Sequence, residues 1–324
     1  AHSDQSFFDA TDWLYLTYRP DEQWSLSVGK QVVGIGGYEY DRAPIDLYFC
    51  SEYWNNIPCY QMGISADYSF NRGKDKVMFQ LCQSPFRTYA DDMYAYNLMW
   101  NGSHGWFNTI YSVNMIEYQP DKFINYIALG HRLDFGKTTL ELDFMNRAVD
   151  HQTYFFKNCS VMGELSYRPS ESFNLFGKVT YDVNSTQVGA DYCVLPGTEL
   201  TYVGGGVEFY PIKNNRNLRL HAFYSYAFGH NGNTEGAILP EQNMLSIGIK
   251  WKVDFLSFIN KKFEGIITEG TVDSKVKETT LNTYKEVGEL IEKGELKSAL
   301  SKVMDYISLG NKYYDENTFM YQSK

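Results

Sequence analysis

From residue 243 the chain reads NMLSIGIKWKVDF, where Leu245, Ile247, Ile249, Trp251, Val253 and Phe255 fall on one side and Ser246, Gly248, Lys250, Lys252 and Asp254 on the other. Successive side chains of a strand point to opposite faces, so a strict period of two means one face in water and one out of it. The pattern recurs. Leu140, Leu142 and Phe144 oppose Thr139, Glu141 and Asp143, and Tyr60, Met62, Ile64, Ala66, Tyr68 and Phe70 oppose Gln61, Gly63, Ser65, Asp67 and Ser69. Such segments predict thirteen strands, at 11–18, 23–31, 58–70, 76–84, 93–101, 105–116, 122–133, 138–148, 159–168, 174–182, 200–210, 217–228 and 243–255.

Composition supports two-faced strands over an ordinary core. Aromatic residues make up 17% of the 324, led by 27 Tyr and 21 Phe, yet the mean hydropathy is -0.40. No run approaches the ~18 apolar residues of a membrane-spanning helix, which excludes a helical membrane protein. A membrane barrel is compatible, because strands of ~10 residues leave only a weak hydropathy signal. The net charge of -10 argues against nucleic acid as a partner, since phosphate binding needs a basic stripe. Cys50, Cys59, Cys82, Cys159 and Cys193 form an odd set without a CxxC pair or a His at zinc spacing, so no metal site is expected. Unpaired thiols are the expectation, with a Cys50–Cys59 bridge as the alternative. The chain opens AHSDQS, with neither a starting Met nor a signal peptide, so either a leader has been removed or the chain begins inside a longer gene.

The connections carry a second regularity. Short turns at 20–22, 71–75, 102–104, 135–137, 169–172 and 212–216 alternate with connections at 32–57, 85–92, 149–158, 183–199 and 229–242 that are mostly longer, with a short exception near 119–121. Tight turns at one end and long loops at the other are the layout of a bacterial outer-membrane barrel. A soluble β-sandwich also alternates strands and turns, but many of these strands run nine or more residues and their aromatics gather near strand ends. The expected fold is mainly β: an antiparallel transmembrane β-barrel. The first and last strands run the same way, so an even-stranded barrel needs an odd number of strands before residue 11, and the barrel is expected to be truncated at its N-terminus.

After residue 258 the chemistry changes. Residues 259–324 hold ten Lys and no Arg, and apolar residues turn to helical spacing: Leu281, Tyr284, Val287 and Ile291, then Leu296, Leu300, Val303 and Ile307, with Gly294 between. The expected organisation is a barrel over 1–258 and a C-terminal α-helical hairpin within 259–324.

Four stretches, VGKQVVGIGGYEYDRAPIDLYFCS (Val28 to Ser51), YNLMWNGSHGWFNTIYSVN (Tyr96 to Asn114), LGHRLDFGKTTLELDFMNR (Leu129 to Arg147) and NMLSIGIKWKVDFL (Asn243 to Leu256), resemble outer-membrane porins of Bacteroidetes related to the phosphate-selective porin O and P family. The stretch Phe263 to Asn317, ending in GNKYYDEN, is similar to the helical anticodon-binding domain of methionyl-tRNA synthetase. Its usual Pro-Trp pair is replaced by Thr318 and Phe319, and the HIGH-type and KMSKS-type motifs are absent, so the likeness brings no aminoacylation. A fused or misassembled gene and a genuine periplasmic appendage are the two readings of the junction.

The porin resemblance implies the bacterial outer membrane, lipid contact, passage of small hydrophilic solutes or ions including anions such as phosphate, homotrimers, and neither a cofactor nor a catalytic site. Alternation places Asp67, Glu141, Asp143, Glu164, Asp182, Glu208 and Asp254 on the inner face against Arg168, Lys178, Arg219, Lys250 and Lys252. Charges lining a pore set its selectivity. With acids slightly in excess and no ladder of Arg and Lys, general diffusion is expected, with a mild preference for cations. Val32 to Pro58 either folds into the pore or caps the barrel: Gly34, Gly36 and Gly37 permit a tight bend, and Glu39, Asp41, Arg42 and Asp46 would set opposed charges at a constriction. A binding or adhesion barrel working through its outer loops is the remaining class.

Overall fold

Among the described residues thirteen strands form in the expected places: β1 (Leu14–Tyr18), β2 (Trp24–Val32), β3 (Tyr60–Phe70), β4 (Asp75–Gln83), β5 (Tyr94–His104), β6 (Phe107–Gln119), β7 (Lys122–Phe135), β8 (Thr138–Val149), β9 (Asn158–Ser170), β10 (Phe173–Asn184), β11 (Glu199–Phe209), β12 (Leu218–His230) and β13 (Asn243–Trp251). The computed structural model describes residues 11–86, 92–152, 155–252 and 274–293, with 298, 301, 302, 305 and 306. The strands make one sheet in sequence order, each antiparallel to the next. Among the described residues no ladder joins β1 to β13. The expected Val253 and Phe255 of the last strand, and Asp254 between them, lie outside the described residues.

Two expectations shift. β1 is shorter than its predicted span because its ladder with β2 begins only at Leu14↔Lys30. The turn expected at 102–104 lies instead at 105–106, where Gly105 has φ 78°, and Gly102 to His104 continue β5. Gly102 is small for packing: a Cβ there would meet Thr109 Oγ1 at 2.8 Å.

The sheet must be curled, and one segment proves it. Residues 33–59, between β2 and β3, contact Gln80 on β4 through Gly34 and Lys250 on β13 through Asp46. On a flat sheet, nine strand spacings would separate those partners by about 43 Å. A dozen residues containing helical turns cannot reach that far, so the segment sits inside a barrel-like wall.

The outer face is apolar, as period two requires, and Leu245, Ile247, Ile249 and Trp251 are 71 to 79% exposed. Aromatic pairs mark both rims: Trp24 with Tyr68 and Phe173 with Phe209 at the short-turn end, each with centroids 4.9 Å apart, and Trp13 with Tyr60 at 6.1 Å at the long-loop end. Such girdles match the two interfaces of a bilayer.

The chain divides into two compact units, Ala1–Lys252 and Val253–Lys324. In the second, one helix covers Ser274–Glu292. Thr280 Oγ1 lies 2.7 Å from Tyr306 Oη, and Lys302 pairs with Glu286 at 2.6 Å, so a following segment lies beside it. Most of that segment, including Gly294, is outside the described residues. No described helix is long and apolar enough to cross a membrane.

Candidate functional site

Loop 33–59 enters the lumen on a ladder of buried amides. Gln80 Oε1 accepts from Gly34 N at 2.8 Å, Asn114 Nδ2 donates to Gly34 O at 2.7 Å, and Asn97 bridges Gln80 and Asn114 at 2.9 and 2.8 Å. Ser112 Oγ then accepts from Gly36 N at 2.8 Å. These groups are buried, so each unmade bond would carry a full desolvation cost. At Gly37 the backbone turns with φ 109°, and it passes so close to β7 that a Cβ on Gly130 would lie 2.8 Å from Gly37 Cα. A short helix, α1 (Tyr38–Asp41), begins there, and Asp143 on β8 accepts from Tyr38 N and Glu39 N at 2.8 and 2.7 Å.

Beyond α1 the loop clamps to the far wall by ion pairs. Arg42 reaches Glu141 on β8 and Glu164 on β9, the latter at 2.7 Å. Glu39 meets Lys178 on β10 at 2.7 Å. Asp46 pairs with Lys250 on β13 and with Arg219 on β12 at 3.5 Å, and Arg219 also holds Glu208 at 3.1 Å. Burial works against the Arg42 charge, but Glu164 and Glu141 outweigh it and hold the guanidinium protonated. Asp41 makes no ion pair among the described residues; burial raises its pKa and Lys76 opposes that rise.

An aromatic tip seats the loop. Tyr48 stacks on Phe176 with centroids 4.6 Å apart, and Phe49 packs on Tyr202 at the same distance. The room comes from Gly204 and Gly206 on β11, where a Cβ would approach Phe49 and Phe176 to 2.9 Å. The loop returns through a second short helix, α2 (Glu52–Asn56), capped by the Ser51 side chain.

Loop 185–198 also turns inward. Asp191 anchors it, accepting from Cys193 N and Val194 N at 2.9 and 3.1 Å. Val33, Ile35, Tyr40 and Tyr53 of the first loop join Ala190, Cys193 and Val194 of the second and wall residues such as Ile124 and Tyr126 in one buried cluster. All five cysteines are free. Burial pushes the Cys50 thiol up to about 12, so it stays protonated and unreactive at neutral pH.

What remains open is a cavity of about 160 Å³ between the loop and β7–β11. Arg42, Arg132, Arg168 and Lys178 line it opposite Asp46, Glu141, Glu164 and Glu208, with Thr139, Ser166 and Asn174 between them. A second space of about 510 Å³ lies toward the short-turn end, lined by Tyr38, Lys74, Lys76, Asn101, Arg132 and Asp134 among others.

The structure thus gathers most of the predicted residues. Glu141, Asp143, Glu164, Lys178, Asp182, Glu208, Arg219 and Lys250 all meet one of the inward loops or line the first cavity, and Arg168 lines it without an ion pair among the described residues. Asp67 stands apart, paired with Lys76 at 3.4 Å. Lys252 is exposed just past β13. No group of His, Cys, Asp and Glu among the described residues could hold a metal ion.

Sequence reasoning missed Arg132, Arg147, Asp191 and the amide ladder. On β7, Ile124, Tyr126, Ala128 and Gly130 face inward under the loops, so both faces of the strand read as apolar and Arg132 does not stand out. Arg147 continues the inner face of Glu141, Asp143 and Met145, and extending that period finds it.

Comparison with known proteins agrees with this architecture. Residues 1–105 match the family described as phosphate-selective porin O and P. OmpF of Salmonella typhi, in complex with daunomycin, is similar at 14% identity over 74% of this chain and 77% of that one, with a TM-score of 0.51. An anion-selective porin from Comamonas acidovorans follows at 12% identity, covering 70% and 74%, with a TM-score of 0.49. The likeness to OmpF is one of fold. Separately, 61 residues, 19% of the chain, are 41% identical to methionine–tRNA ligase of Bacillus cereus. The chain spans only 11% of that relative's length.

Proposed function

We propose that this chain is an outer-membrane porin through which small hydrophilic solutes and ions diffuse, with loop 33–59 setting the width of the path. The observation that carries this reading is a lumen lined by charge and narrowed by a loop whose side chains clamp to inner-face partners from β8 to β13. Such a pore does no bond chemistry. It lowers the cost of moving a polar solute through hydrocarbon by offering a wet, charged wall.

The predicted inner-face residues are the pore lining, and the loop acids and Arg42 form the constriction. Four bases and four acids share the narrow cavity, which supports passage of both signs over a dedicated phosphate path. Association into homotrimers, with lipid around the outer girdle, belongs to the same reading. We read residues 1–258 as the barrel and 259–324 as a synthetase-like tail that takes no part in passage. The test is planar-bilayer recording with the full purified chain: stepwise, salt-dependent conductance is expected, and its absence at any protein concentration sinks the proposal.

A further inference from the structure

Two loops fill the lumen, and one side chain touches both. Arg147 of β8 is fully shut off from solvent. Its Nε lies 2.6 Å from Asp191 Oδ2, the carboxylate whose other oxygen holds the turn of loop 185–198. The guanidinium carbon lies 5.3 Å from the ring centroid of Tyr53 in loop 33–59. Its Nη1 donates to Ser160 Oγ at 2.9 Å, and Ser160 in turn bonds Asp182. Asp182 accepts from Glu52 N at 2.8 Å and Tyr53 N at 3.4 Å, the first amides of α2.

A planar fork can do this where a point charge cannot, because its donors leave in fixed, divergent directions. Buried charge also makes the arrangement all-or-none. Withdrawing loop 185–198 takes away Asp191, the carboxylate in direct contact, and leaves the buried guanidinium with Asp182 only, one hydroxyl away, so the seated state of that loop is strongly favoured.

We propose that Arg147 is a shared latch, a positioning residue that seats loops 33–59 and 185–198 together and so sets the calibre of the pore without touching the permeating solute. The proposal rests on the reading of the chain as a porin. It couples the two loops: the guanidinium that Asp191 holds in place is the one on which the Tyr53 ring and, through Ser160 and Asp182, the first amides of α2 rest.

The test combines chymotrypsin treatment of the full chain in lipid vesicles with single-channel recording. Chymotrypsin cuts after Tyr48 or Phe49 in one loop and after Tyr192 in the other. Wild type should resist at both. Arg147→Met should expose both sets of sites and raise conductance about twofold. Arg147→Lys keeps a cation for Asp191 but loses the fork, so loop 33–59 should be cut whether or not loop 185–198 follows. If loop 33–59 is cut no faster in either variant than in wild type, the latch is wrong. Should Arg147→Met fail to assemble, Arg147→Lys decides alone. A wild type that conducts nothing would remove the porin reading, while the cleavage pattern would still judge the latch.

Discussion

Lys178 Nζ lies 2.7 Å from Glu39 Oε1, and both side chains are nearly closed to solvent. The ammonium also donates to Phe49 O at 2.8 Å, and Glu39 accepts from Ser51 N and Ser51 Oγ at 3.1 and 2.5 Å. A buried pair of this kind contributes little net stability, yet breaking it is costly because the survivor stays charged in a dry site. Lys178→Met is therefore expected to destabilise the barrel by about 3–5 kcal/mol. Adding Glu39→Gln should return most of that loss. Urea titration of the refolded protein in detergent measures both, and equal stability of the single and double variants would refute the pairing.

Gly206 tests the seat of the aromatic tip. A Cβ there would approach Ala222 O to 2.4 Å and Phe176 Cζ to 2.9 Å, so the strand and the ring beneath Tyr48 would both have to move. Gly206→Val should cost about 1–3 kcal/mol by overpacking. It should also loosen the Tyr48 stack and make single-channel currents noisier than wild type. A quiet channel of unchanged stability would show that β11 tolerates bulk at this point.

How much of this was open to sequence reading depends on which face a residue occupies. On β13, Leu245 to Trp251 contrast an apolar outer face with a polar inner one, and the strand was legible almost to the residue. On β7 the contrast fails because Tyr126 and Ala128 face loops instead of water. The constriction was legible in part: Glu39, Arg42 and Asp46 were singled out, but their partners depend on the curl of the sheet, which brings Lys250 to a residue 204 positions earlier. Loop 185–198 carried no signal of its inward turn, since Asp191 gains meaning only from Arg147.

Glu52, at the start of α2, gives the constriction a pH dependence. Burial raises its pKa, although hydrogen bonds from Asn231, Asn56 and Asn233 pull the other way. A carboxyl whose folded pKa is raised binds its proton more readily in the seated loop than in a released one. The seated form therefore gains stability as pH falls from the raised value toward the ordinary carboxylate range, and loses it as pH rises through the raised value. Acidification from about pH 7 to the ordinary carboxylate range, about pH 4, should hold the loop more firmly and lower the current. Glu52→Gln mimics the protonated group and should carry the lower current at both values. A variant whose current follows pH as steeply as wild type would clear Glu52 of this role.

Arg168 should tilt the ion preference. Arg42, Lys178, Arg219 and Lys250 are each neutralised by a carboxylate of the loop or wall, whereas Arg168 faces the cavity without an ion pair among the described residues. An unpaired charge beside a narrow path attracts counter-ions and repels co-ions over roughly a Debye length, about 10 Å at 0.1 M salt. Arg168→Glu replaces an anion-attracting group with a cation-attracting one and disturbs no buried pair. Across a tenfold KCl gradient the reversal potential should move toward cation preference by on the order of 10 mV. The shift should shrink at molar salt, where screening falls to about 3 Å. An unchanged potential at low salt would mean that ions pass Arg168 at a distance, and the narrow cavity would no longer be the path that selects them.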